Sequence, residues 1–577
     1  PRPLWRRAAL AVAAAAIAGG GIVGTLVWIA TRAMAPSAPE LRLDLTTPPT
    51  ADPESESVSI AISPDGRRVV FAAASEGRTQ LWIRSLDAVA AQPLAGTDNA
   101  MLPFWSPDSR SVGFFADEKL KRIDIAGGSV KILADAESGR GGTWNRDGII
   151  LFAPVAVGPI FRITADGGKP AALTQVETPA QTDHRSPQFL PDGLHFLYYA
   201  RGTAEGRGVY VGQLDGAHSK RLLEADAVAV YASTGHILFV RQGTLWATRF
   251  DLDRLEPVGN PFQVAQQAVV SAGISIAALS VSQAGPIIYR AGKIEARLIW
   301  TDRSGKAGEA IGDADGVYHA PSLSPNGRWI AVARNIDSIW NIVLIDGERG
   351  SSTRLTMDPP VGIYSVWAPD GSHIVYGSTS TRKGPNTDLY SIPAFGNGRG
   401  DLLLETPGEK TPTDWSSDPQ FLLYHCQGQT TGYDLWALPM GGIKKPFPVV
   451  LSAFNQLNGQ FSPKGKWVAY QSDESGRSEI YVQPFPGPGD KKQVSTAGGG
   501  QVRWRADEKE LFYIALDGHL MAVRIRLPSN GGTIDIGRPV RLFPTHIRYG
   551  VLSKYGLQYA VARDGQRFLI NTVTKEP

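Results

Sequence analysis

The sequence predicts an all-β protein assembled from twelve copies of one four-stranded unit. Two observations carry this prediction: a short turn motif recurs twelve times, and runs of β-branched and aromatic residues follow its copies. Counted at its fourth position, the motif recurs at intervals of 39 to 57 residues. This spacing is typical of the blades of a β-propeller, each a four-stranded antiparallel sheet. A third observation, an uncharged stretch near the N-terminus, adds one transmembrane helix.

In its clearest copies the turn motif is a large apolar residue followed by Ser-Pro-Asp-Gly, as in residues 62–66. Proline presets φ near −65° at the second position of a β-turn, Asp caps the turn, and Gly takes the position with φ > 0. One strand must therefore end before each motif and another must begin after it. Because no active site requires the same residue in eight repeats, the motif aspartates are predicted to be structural turn residues: Asp65, Asp108, Asp147, Asp192, Asp370, Asp418, Asp507 and Asp564.

Tryptophan occupies the first position of five motif copies. This position is the end of the first strand of a blade, where a large ring can fill the space between two blades. The five residues are therefore expected to pack between neighbouring blades: Trp105, Trp144, Trp367, Trp415 and Trp504.

Twelve blades exceed the four to eight of a single closed ring. The simplest division is two tandem six-bladed propellers, residues 54–310 and 311–577, with turn and linker residues near the junction. The last motif is followed by only one strand, residues 566–572, so the last blade is incomplete. The alternating segment 41–45 is a candidate to complete it by pairing from the N-terminal side.

Residues 8–30 contain no charged side chain, and 23 residues are enough to span a bilayer as a helix. Three arginines precede this stretch, whereas only Arg32 lies in the ten residues after it. The positive-inside rule then places residues 1–7 in the cytoplasm as a short stub and exports the propellers. Residues 31–53, rich in Pro, Ala and Thr, are predicted to form an extended tether.

A cleaved signal peptide is the alternative interpretation of this N-terminal stretch. Residues 33–35 have the Ala-x-Ala form of a cleavage site. The apolar region is, however, longer than the usual 7 to 15 residues, and Pro36 would directly follow the cut. A retained membrane anchor is therefore favoured.

The composition excludes several functional classes. The formal net charge of +3 is too small to indicate nucleic-acid binding, and the single cysteine, Cys426, excludes an internal disulfide. The nine histidines are each separated from the next by at least 11 residues, and no H-E-x-x-H or C-x-x-C zinc motif occurs. No G-x-S-x-G nucleophile elbow is present. We therefore predict no catalytic residue, no metal site and no cofactor.

His184 and Arg185 are the candidate binding residues. They are adjacent in the segment 182–189, which leads into a first strand expected to line a propeller channel. A structural polar cluster is the favoured interpretation of the pair, and contact with a ligand or partner is the alternative for which we name them as candidates.

Several runs resemble the TolB-like, WD40-like propeller region that follows the transmembrane helix in bacterial serine/threonine protein kinases. They are residues 99–108, 112–115, 119–122, 183–193, 432–436, 472–477 and 481–489. The resemblance covers nearly the whole chain. It implies an extracytoplasmic sensor or interaction module, anchored by one helix in the bacterial inner membrane. The kinase domain itself is not in this chain, which has no H-R-D, D-F-G or V-A-I-K motif.

Three functional hypotheses follow. The first is the ligand-binding propeller region of a receptor-type kinase, with a protein, peptide or glycan as its extracytoplasmic partner. The second is a stand-alone, TolB-like envelope scaffold that binds other proteins. The third is an enzyme built on the propeller itself, such as a hydrolase or lyase. The absence of an activated nucleophile or metal motif favours the two binding hypotheses.

Overall fold

The computed structural model describes most of the chain from Pro53 onward, in ranges separated by short gaps. These ranges are 53–75, 78–88, 90–216, 219–271, 273–292, 295–313, 317–336, 339–356, 362–379, 387–396, 400–428, 432–487, 489–528, 534–552 and 556–575. The predicted stub, the uncharged stretch and segment 41–45 lie outside the described residues. Within these ranges the one helix is α1 (Pro53–Glu56), and no helix is long and apolar enough to cross a membrane. The remaining elements are β-strands, so the predicted all-β class is confirmed.

The first half of the described chain forms five antiparallel sheets, each built from four consecutive strands in chain order. Sheet 1 contains β1 (Ile60–Ile62), β2 (Arg68–Ser75), β3 (Arg78–Ser85) and β4 (Gln92–Pro93). Sheet 2 contains β5 (Met101–Trp105), β6 (Ser111–Ala116), β7 (Lys119–Asp124) and β8 (Lys131–Asp135). Sheet 3 contains β9 (Gly142–Trp144), β10 (Ile149–Phe152), β11 (Phe161–Thr164) and β12 (Ala171–Ala172). Sheet 4 contains β13 (Gln181–Phe189), β14 (His195–Gly202), β15 (Gly208–Gln213) and β16 (Ser219–Leu223). Sheet 5 contains β17 (Val230–Ala232), β18 (His236–Arg241), β19 (Thr244–Asp251) and β20 (Glu256–Ala265).

Two short hairpins follow sheet 5, and together we call them the hairpin pair. The first pairs β21 (Val270–Ser271) with β22 (Ile276–Ala277), and the second pairs β23 (Leu279–Val281) with β24 (Ile287–Tyr289). Strand β23 contacts both β17 of sheet 5 and β1 of sheet 1. The Ile62 N–H donates to the Ser280 hydroxyl at 3.1 Å, and the Ser282 hydroxyl donates to the Pro64 carbonyl at 2.8 Å. The hairpin pair therefore connects the last sheet of this series to the first.

The second half of the described chain repeats the same plan in sheets 6 to 9, and sheet 10 adds a fifth strand, which pairs with its third. Sheet 6 contains β27 (Tyr318–Leu323), β28 (Trp329–Ile336), β29 (Ile339–Asp346) and β30 (Ser352–Arg354). Sheet 7 contains β31 (Gly362–Trp367), β32 (His373–Thr379), β33 (Thr387–Pro393) and β34 (Asp401–Leu404). Sheet 8 contains β35 (Lys410–Trp415), β36 (Phe421–Gln427), β37 (Tyr433–Pro439) and β38 (Phe447–Val450). Sheet 9 contains β39 (Gln456–Phe461), β40 (Trp467–Ser472), β41 (Glu479–Pro484) and β42 (Lys492–Gln493). Sheet 10 contains β43 (Gly500–Trp504), β44 (Glu510–Ile514), β45 (His519–Arg526), β46 (Asp535–Ile536) and β47 (Val540–Pro544).

A composite sheet joins the C-terminal strands to strands from the middle of the chain. Its order is β26 (Ala307–Ile311), β25 (Glu295–Asp302), β49 (Arg567–Lys575) and β48 (Tyr559–Val561). Strand β48 contacts β43 of sheet 10 and β27 of sheet 6. Strands β25 and β26 thus complete the four-stranded sheet of β48 and β49, a role for which the sequence pattern had offered segment 41–45.

This pairing also moves the division between the first series, which is sheets 1 to 5 with the hairpin pair, and the second series, which is sheets 6 to 10 with the composite sheet. The sequence analysis placed it at residues 310/311, which would separate β25 from its partner β49. Residues 303–306, near that junction, form the turn of the β25–β26 hairpin, in which Asp302 accepts the Ser304 N–H at 2.8 Å and Gly305 has φ of 87°. The hydrogen bonding therefore assigns Glu295–Ile311 to the second series.

The turn motif has one recurring geometry. In seven copies the fourth-position Asp accepts the backbone N–H two residues further on, as in Asp65 with Arg67 at 3.0 Å and Asp370 with Ser372 at 2.9 Å. The other five are Asp108, Asp192, Asp418, Asp507 and Asp564. The third repeat differs, because Asn145 accepts the N–H groups of Asp147 and Ile149. Asn145 is therefore the capping residue there, and Asp147 is not.

Three of the five motif tryptophans connect consecutive sheets through their indole N–H groups. The indole N–H of Trp504 donates to the Gln460 carbonyl of the preceding sheet at 3.2 Å. Trp105 and Trp367 donate in the same way to the carbonyls of Ala61 and Ser322, both at 3.1 Å. Trp415 differs, because its indole N–H lies 3.4 Å from the Pro419 carbonyl of its own turn.

The first strands share an irregularity three residues before the motif. A residue with positive φ lies there in seven repeats, at a place where the strand register usually shifts as in a β-bulge. These residues are Leu102, Gly141, Ser186, Ala320, Tyr364, Asn458 and Gln501. Because a β-bulge changes the direction of nearby side chains, the side chains at this point of a first strand can contact the neighbouring strands.

Candidate ligand-binding site in the second series

Arg185, one of the two predicted binding residues, is buried inside the first series. It lies on β13 of sheet 4, and its side chain is 1% exposed. It forms an ion pair with Asp183, to which Nε donates at 2.6 Å. Nη2 donates to the Ala156 carbonyl of sheet 3 at 3.1 Å, and Nη1 donates to the Ile274 carbonyl of the hairpin pair. Burial lowers the pKa of Arg185 to about 9, against the opposing effect of Asp183.

His184 is equally enclosed. Its Nδ1 lies 2.8 Å from the Thr174 hydroxyl, and its Nε2 lies 2.8 Å from the Gln181 side-chain oxygen. Burial lowers the pKa of His184 to about 4, so the ring is neutral at physiological pH. The structure therefore brings His184 and Arg185 together in an internal network, and it exposes neither side chain to a ligand.

The residue immediately before the motif differs in character between repeats. In chain order these residues are Ala61, Phe104, Thr143, Gln188, Val230, Ser280, Ser322, Val366, Asp414, Gln460, Arg503 and Ala560. Only Asp414 and Arg503 carry a charge, and they belong to sheets 8 and 10, on either side of Gln460 in sheet 9. We call Asp414, Gln460 and Arg503 the charged arc.

Asp414 is a partly exposed carboxylate held by the neighbouring first strand. Its Oδ2 accepts the Phe461 N–H of sheet 9 at 2.8 Å. Burial raises the pKa of Asp414 to about 6, although the Phe461 N–H and the charge of Arg503 oppose this rise. Asp414 is thus an acid poised to change its charge close to neutral pH.

Arg503 is a partly exposed guanidinium held on the other side of the arc. Its Nε donates to the Tyr559 carbonyl at 3.2 Å, and its Nη1 donates to Gln460 Oε1 at 2.9 Å. The amide of Gln460 is fixed in turn, because its Nε2 donates to the Thr413 carbonyl at 2.6 Å. Burial lowers the pKa of Arg503 from its ordinary value. The arc is therefore held by bonds that cross four consecutive first strands.

A chain of buried amide side chains lies next to the arc, which we call the amide chain. Gln471 Oε1 accepts from Asn458 Nδ2 at 3.2 Å and from the Gln501 N–H at 2.9 Å. Gln501 Oε1 accepts the Gln558 N–H at 2.7 Å, and Gln558 Oε1 accepts from Asn571 Nδ2 at 3.1 Å. All five side chains are buried. Their bonds continue across sheet 9, sheet 10 and the composite sheet.

Three buried atoms of the amide chain have no hydrogen-bond partner among the described residues. They are Asn458 Oδ1, Gln558 Nε2 and Asn571 Oδ1. A buried polar atom without a partner costs about 1–3 kcal/mol, so such atoms are ordinarily satisfied by water or a ligand. The interior beside the charged arc is therefore polar.

The segment after β47 covers one side of the amide chain. The Val551 carbonyl accepts from Gln501 Nε2 at 3.1 Å. The Tyr549 ring packs against the buried ring of His319, with centroids 4.4 Å apart. Burial lowers the pKa of His319 to about 3, with the charge of Arg548 acting in the same direction. This side is closed by neutral packed rings, whereas the partly exposed side chains belong to the charged arc.

No group of three His, Cys, Asp or Glu side chains is arranged to hold a metal ion in the described ranges. Cys426 is buried, and burial raises the pKa of its thiol to about 11. It is therefore a protonated, packed thiol.

Sequence reasoning missed the charged arc although a signal was present. Aligning the twelve motifs shows that the position before the motif is neutral in ten repeats and charged in two. The two charges have opposite signs and lie two repeats apart, at a position that is neutral in the other repeats. The repeat itself does not require charge there, so this departure from the pattern was a signal of function. The adjacent pair His184 and Arg185 was a weaker signal, because neighbouring strand residues point to opposite faces.

No protein-family model matches the chain. Among solved structures it is similar to a putative TolB from Agrobacterium tumefaciens, with 13% identity, a TM-score of 0.38, and coverage of 49% of this chain and 100% of that one. TolB from Acinetobacter baumannii gives 11% identity, a TM-score of 0.33, and coverage of 62% and 82%. The β-propeller domain of the Trilobed protease from Pyrococcus furiosus gives 11% identity and a TM-score of 0.23, with coverage of 77% of this chain and 97% of that one. These TM-scores are low, so the fold description rests on the strand pairing above.

Proposed function

We propose that this chain is a binding module of two six-bladed β-propellers and that it holds a segment of a protein partner at the charged arc. The contacts of β23 with β17 and β1 support closure of the first ring, with the hairpin pair as its sixth blade. The contacts of β48 with β43 and β27 support closure of the second ring through the composite sheet. Propellers of this size leave a central channel lined by first strands.

The charged arc is the observation that carries the binding function. Asp414 and Arg503 form no direct ion pair with each other among the described residues, and sheet 9 lies between them. Each is held by a first strand beside its own, through Phe461 and Gln460, and each remains partly exposed. A structural charge pair would gain more by closing into a direct hydrogen-bonded contact. Charges held apart and accessible are suited to a charged or polar ligand.

The other three sheets of the second ring contribute smaller, uncharged residues at the position before the motif. Sheet 6, sheet 7 and the composite sheet contribute Ser322, Val366 and Ala560 at the position before the motif. These three side chains are uncharged and smaller than those of Gln460 and Arg503, which supports placing a ligand on this side of the ring. An extended peptide, with alternating side chains and main-chain amides, suits such a polar channel.

The cellular setting belongs to the same proposal. The runs that resemble receptor-type kinases, together with the uncharged stretch 8–30, favour a sensor anchored in the bacterial inner membrane with its propellers outside the cytoplasm. In that setting the chain contributes recognition and has no catalytic activity of its own. Catalysis would belong to a kinase domain preceding the anchor.

Affinity selection from a synthetic library of N-acetylated pentapeptides tests this function. The protein is incubated with the library, ultrafiltered, and the retained peptides are identified by mass. We expect retention by the wild type and by Arg526→Gln, an exposed control on β45, and loss in the double variant Asp414→Asn/Arg503→Gln. Retained peptides should be recovered with intact masses. Equal retention by the double variant, or cleavage of retained peptides, would contradict the proposal.

A further inference from the structure

We propose that the charged arc recognises a carboxylate group, which Arg503 binds through paired N–H donors. This inference rests on the proposed function, because it assumes that the arc is the binding site. It names the chemistry of the ligand: one carboxylate, supplied either by the C-terminus of a peptide or by a small organic acid.

The orientation of Arg503 is fixed before any ligand arrives. A guanidinium has five N–H donors, and two of them are used by the Tyr559 carbonyl and Gln460 Oε1. The remaining three have no partner among the described residues. A planar guanidinium offers such donors in a fork that matches the two oxygens of a carboxylate.

Gln460 makes this orientation specific. Its carbonyl oxygen accepts from Arg503 while its Nε2 donates to the carbonyls of Thr413 at 2.6 Å and Gly459 at 3.1 Å. The amide can therefore not rotate without losing bonds on both sides. A donor that is held in place loses little conformational entropy when it binds, which favours affinity.

The local charge selects a monoanion. Arg503 is the only cation at this level of the first strands, and Asp414 adds a negative charge nearby. A phosphate dianion would bring a second negative charge, and the position before the motif supplies no second cation to balance it. A carboxylate brings one charge, matched by one guanidinium. A protonated Asp414 could donate its own hydrogen to the same ligand, so carboxylate binding should strengthen as the pH falls through the range in which Asp414 titrates.

The unpaired buried atoms favour a ligand that continues past its carboxylate. Gln558 Nε2 is a donor and Asn458 Oδ1 is an acceptor, and both belong to the amide chain beside the arc. The residues that supply them lie two positions before Ala560 and Gln460 on the same first strands. A main-chain amide that follows a carboxylate presents one donor and one acceptor. A peptide C-terminus is thus the source that the arc and the amide chain accommodate together.

The test compares two peptide libraries that differ only at their C-termini, one as free acids and one as carboxamides, with acetate and acetamide as small probes. Binding is measured by retention and by competition, and acetate is also followed through the side-chain ¹⁵N resonance of Arg503, assigned from its absence in Arg503→Gln. We expect free acids to bind roughly tenfold or more tightly than carboxamides. Acetate, and not acetamide, should compete.

The variants distinguish the effect of the Arg503 charge from the effect of its donor geometry and from a loss of folding. Arg503→Lys keeps the charge and removes the fork, so it should lose most of the preference for free acids; Arg503→Gln should lose it fully. Arg526→Gln is the matched control, and the melting temperature of each variant shows that it is folded. If Arg503→Gln fails to fold, Gln460→Leu, which removes the orienting acceptor, should still weaken the preference for free acids.

Each outcome decides between the alternatives. If free acids are retained and carboxamides are lost, the result supports recognition of a peptide C-terminus. If acetate shifts the side-chain ¹⁵N resonance of Arg503 but no peptide is retained, the result supports a small organic acid as the ligand and overturns the peptide-binding function. Free acids and carboxamides retained equally, with both lost in Arg503→Gln, overturns the carboxylate inference and leaves the proposed function standing. No response to any probe overturns both.

Discussion

Replacing Asp414 by Asn should stabilise the protein at about pH 8 and leave its stability unchanged at about pH 4. Burial raises the pKa of Asp414 to about 6, from an ordinary value of 3.8. Each pKa unit corresponds to about 1.4 kcal/mol, so ionised Asp414 costs up to about 3 kcal/mol of folding free energy. Because the side chain is partly exposed, solvent screening reduces this cost to roughly 2 kcal/mol.

The sign follows from the order in which the two states lose their proton. The folded pKa lies above the unfolded one, so the unfolded state ionises first as the pH rises. The contribution of Asp414 to the free energy of unfolding is therefore most favourable below about pH 4, falls as the pH rises to about 6, and is constant above that range. Asparagine retains an oxygen that can accept the Phe461 N–H and carries no charge, so Asp414→Asn should escape this loss.

Urea unfolding followed by tryptophan fluorescence measures the effect at a series of pH values between about 4 and 8. Asp401→Asn, on the exposed outer strand β34, is the charge-matched control and should show no comparable pH-dependent gain. A gain that is the same at every pH, or an Asp414→Asn variant less stable than the wild type at about pH 8, would refute the reasoning.

Three further predictions concern the fold. Asp108→Ala should cost about 1 kcal/mol, because it removes a turn cap, whereas Asp147→Ala should change stability by less than about 0.5 kcal/mol; equal effects in urea unfolding would contradict the assignment. Trp504→Phe should cost about 1 kcal/mol through loss of its bond to the preceding sheet, and an unchanged unfolding midpoint would argue against that bond. A fragment beginning at Glu295 and ending at the C-terminus should fold cooperatively, while the fragment 311–577 lacks β25 and should not; cooperative thermal unfolding of the shorter fragment would place the division where the sequence pattern had it.

The turn motif could be predicted from sequence because its geometry is local. Proline sets one backbone angle, glycine permits another, and the Asp of residues such as Asp370 reaches an N–H only two positions away. All of these contacts lie within five residues of one another, so neighbouring sequence contains the information they need. The same holds for Trp105, Trp367 and Trp504, since a large ring at the end of a first strand has few places to pack other than against a neighbouring sheet, here the preceding one.

The strand that completes the last blade could not be predicted, because its partner is distant in sequence. Leu298 of β25 pairs with Asn571 of β49, far along the chain, and nothing in the local pattern distinguishes β25 from a strand of the first series. The residues between β25 and β26 have the composition of a linker and equally that of a hairpin turn. Only the hydrogen bonds between the two strands decide which they are.

The sequence by itself determined the all-β class, the spacing of the repeats and the place of each turn, because these depend on backbone preferences of adjacent residues and on alternating apolar positions. The tertiary structure alone decided which charged residues face a partner within the protein and which remain accessible. The guanidinium of Arg185 bonds to Asp183 and to backbone carbonyls outside its own sheet, whereas Arg503 retains N–H donors without a partner in the same arc as Asp414. Side chains of the same type thus acquire different roles, because the energy of a charge depends on what surrounds it in space and not on its neighbours in the chain.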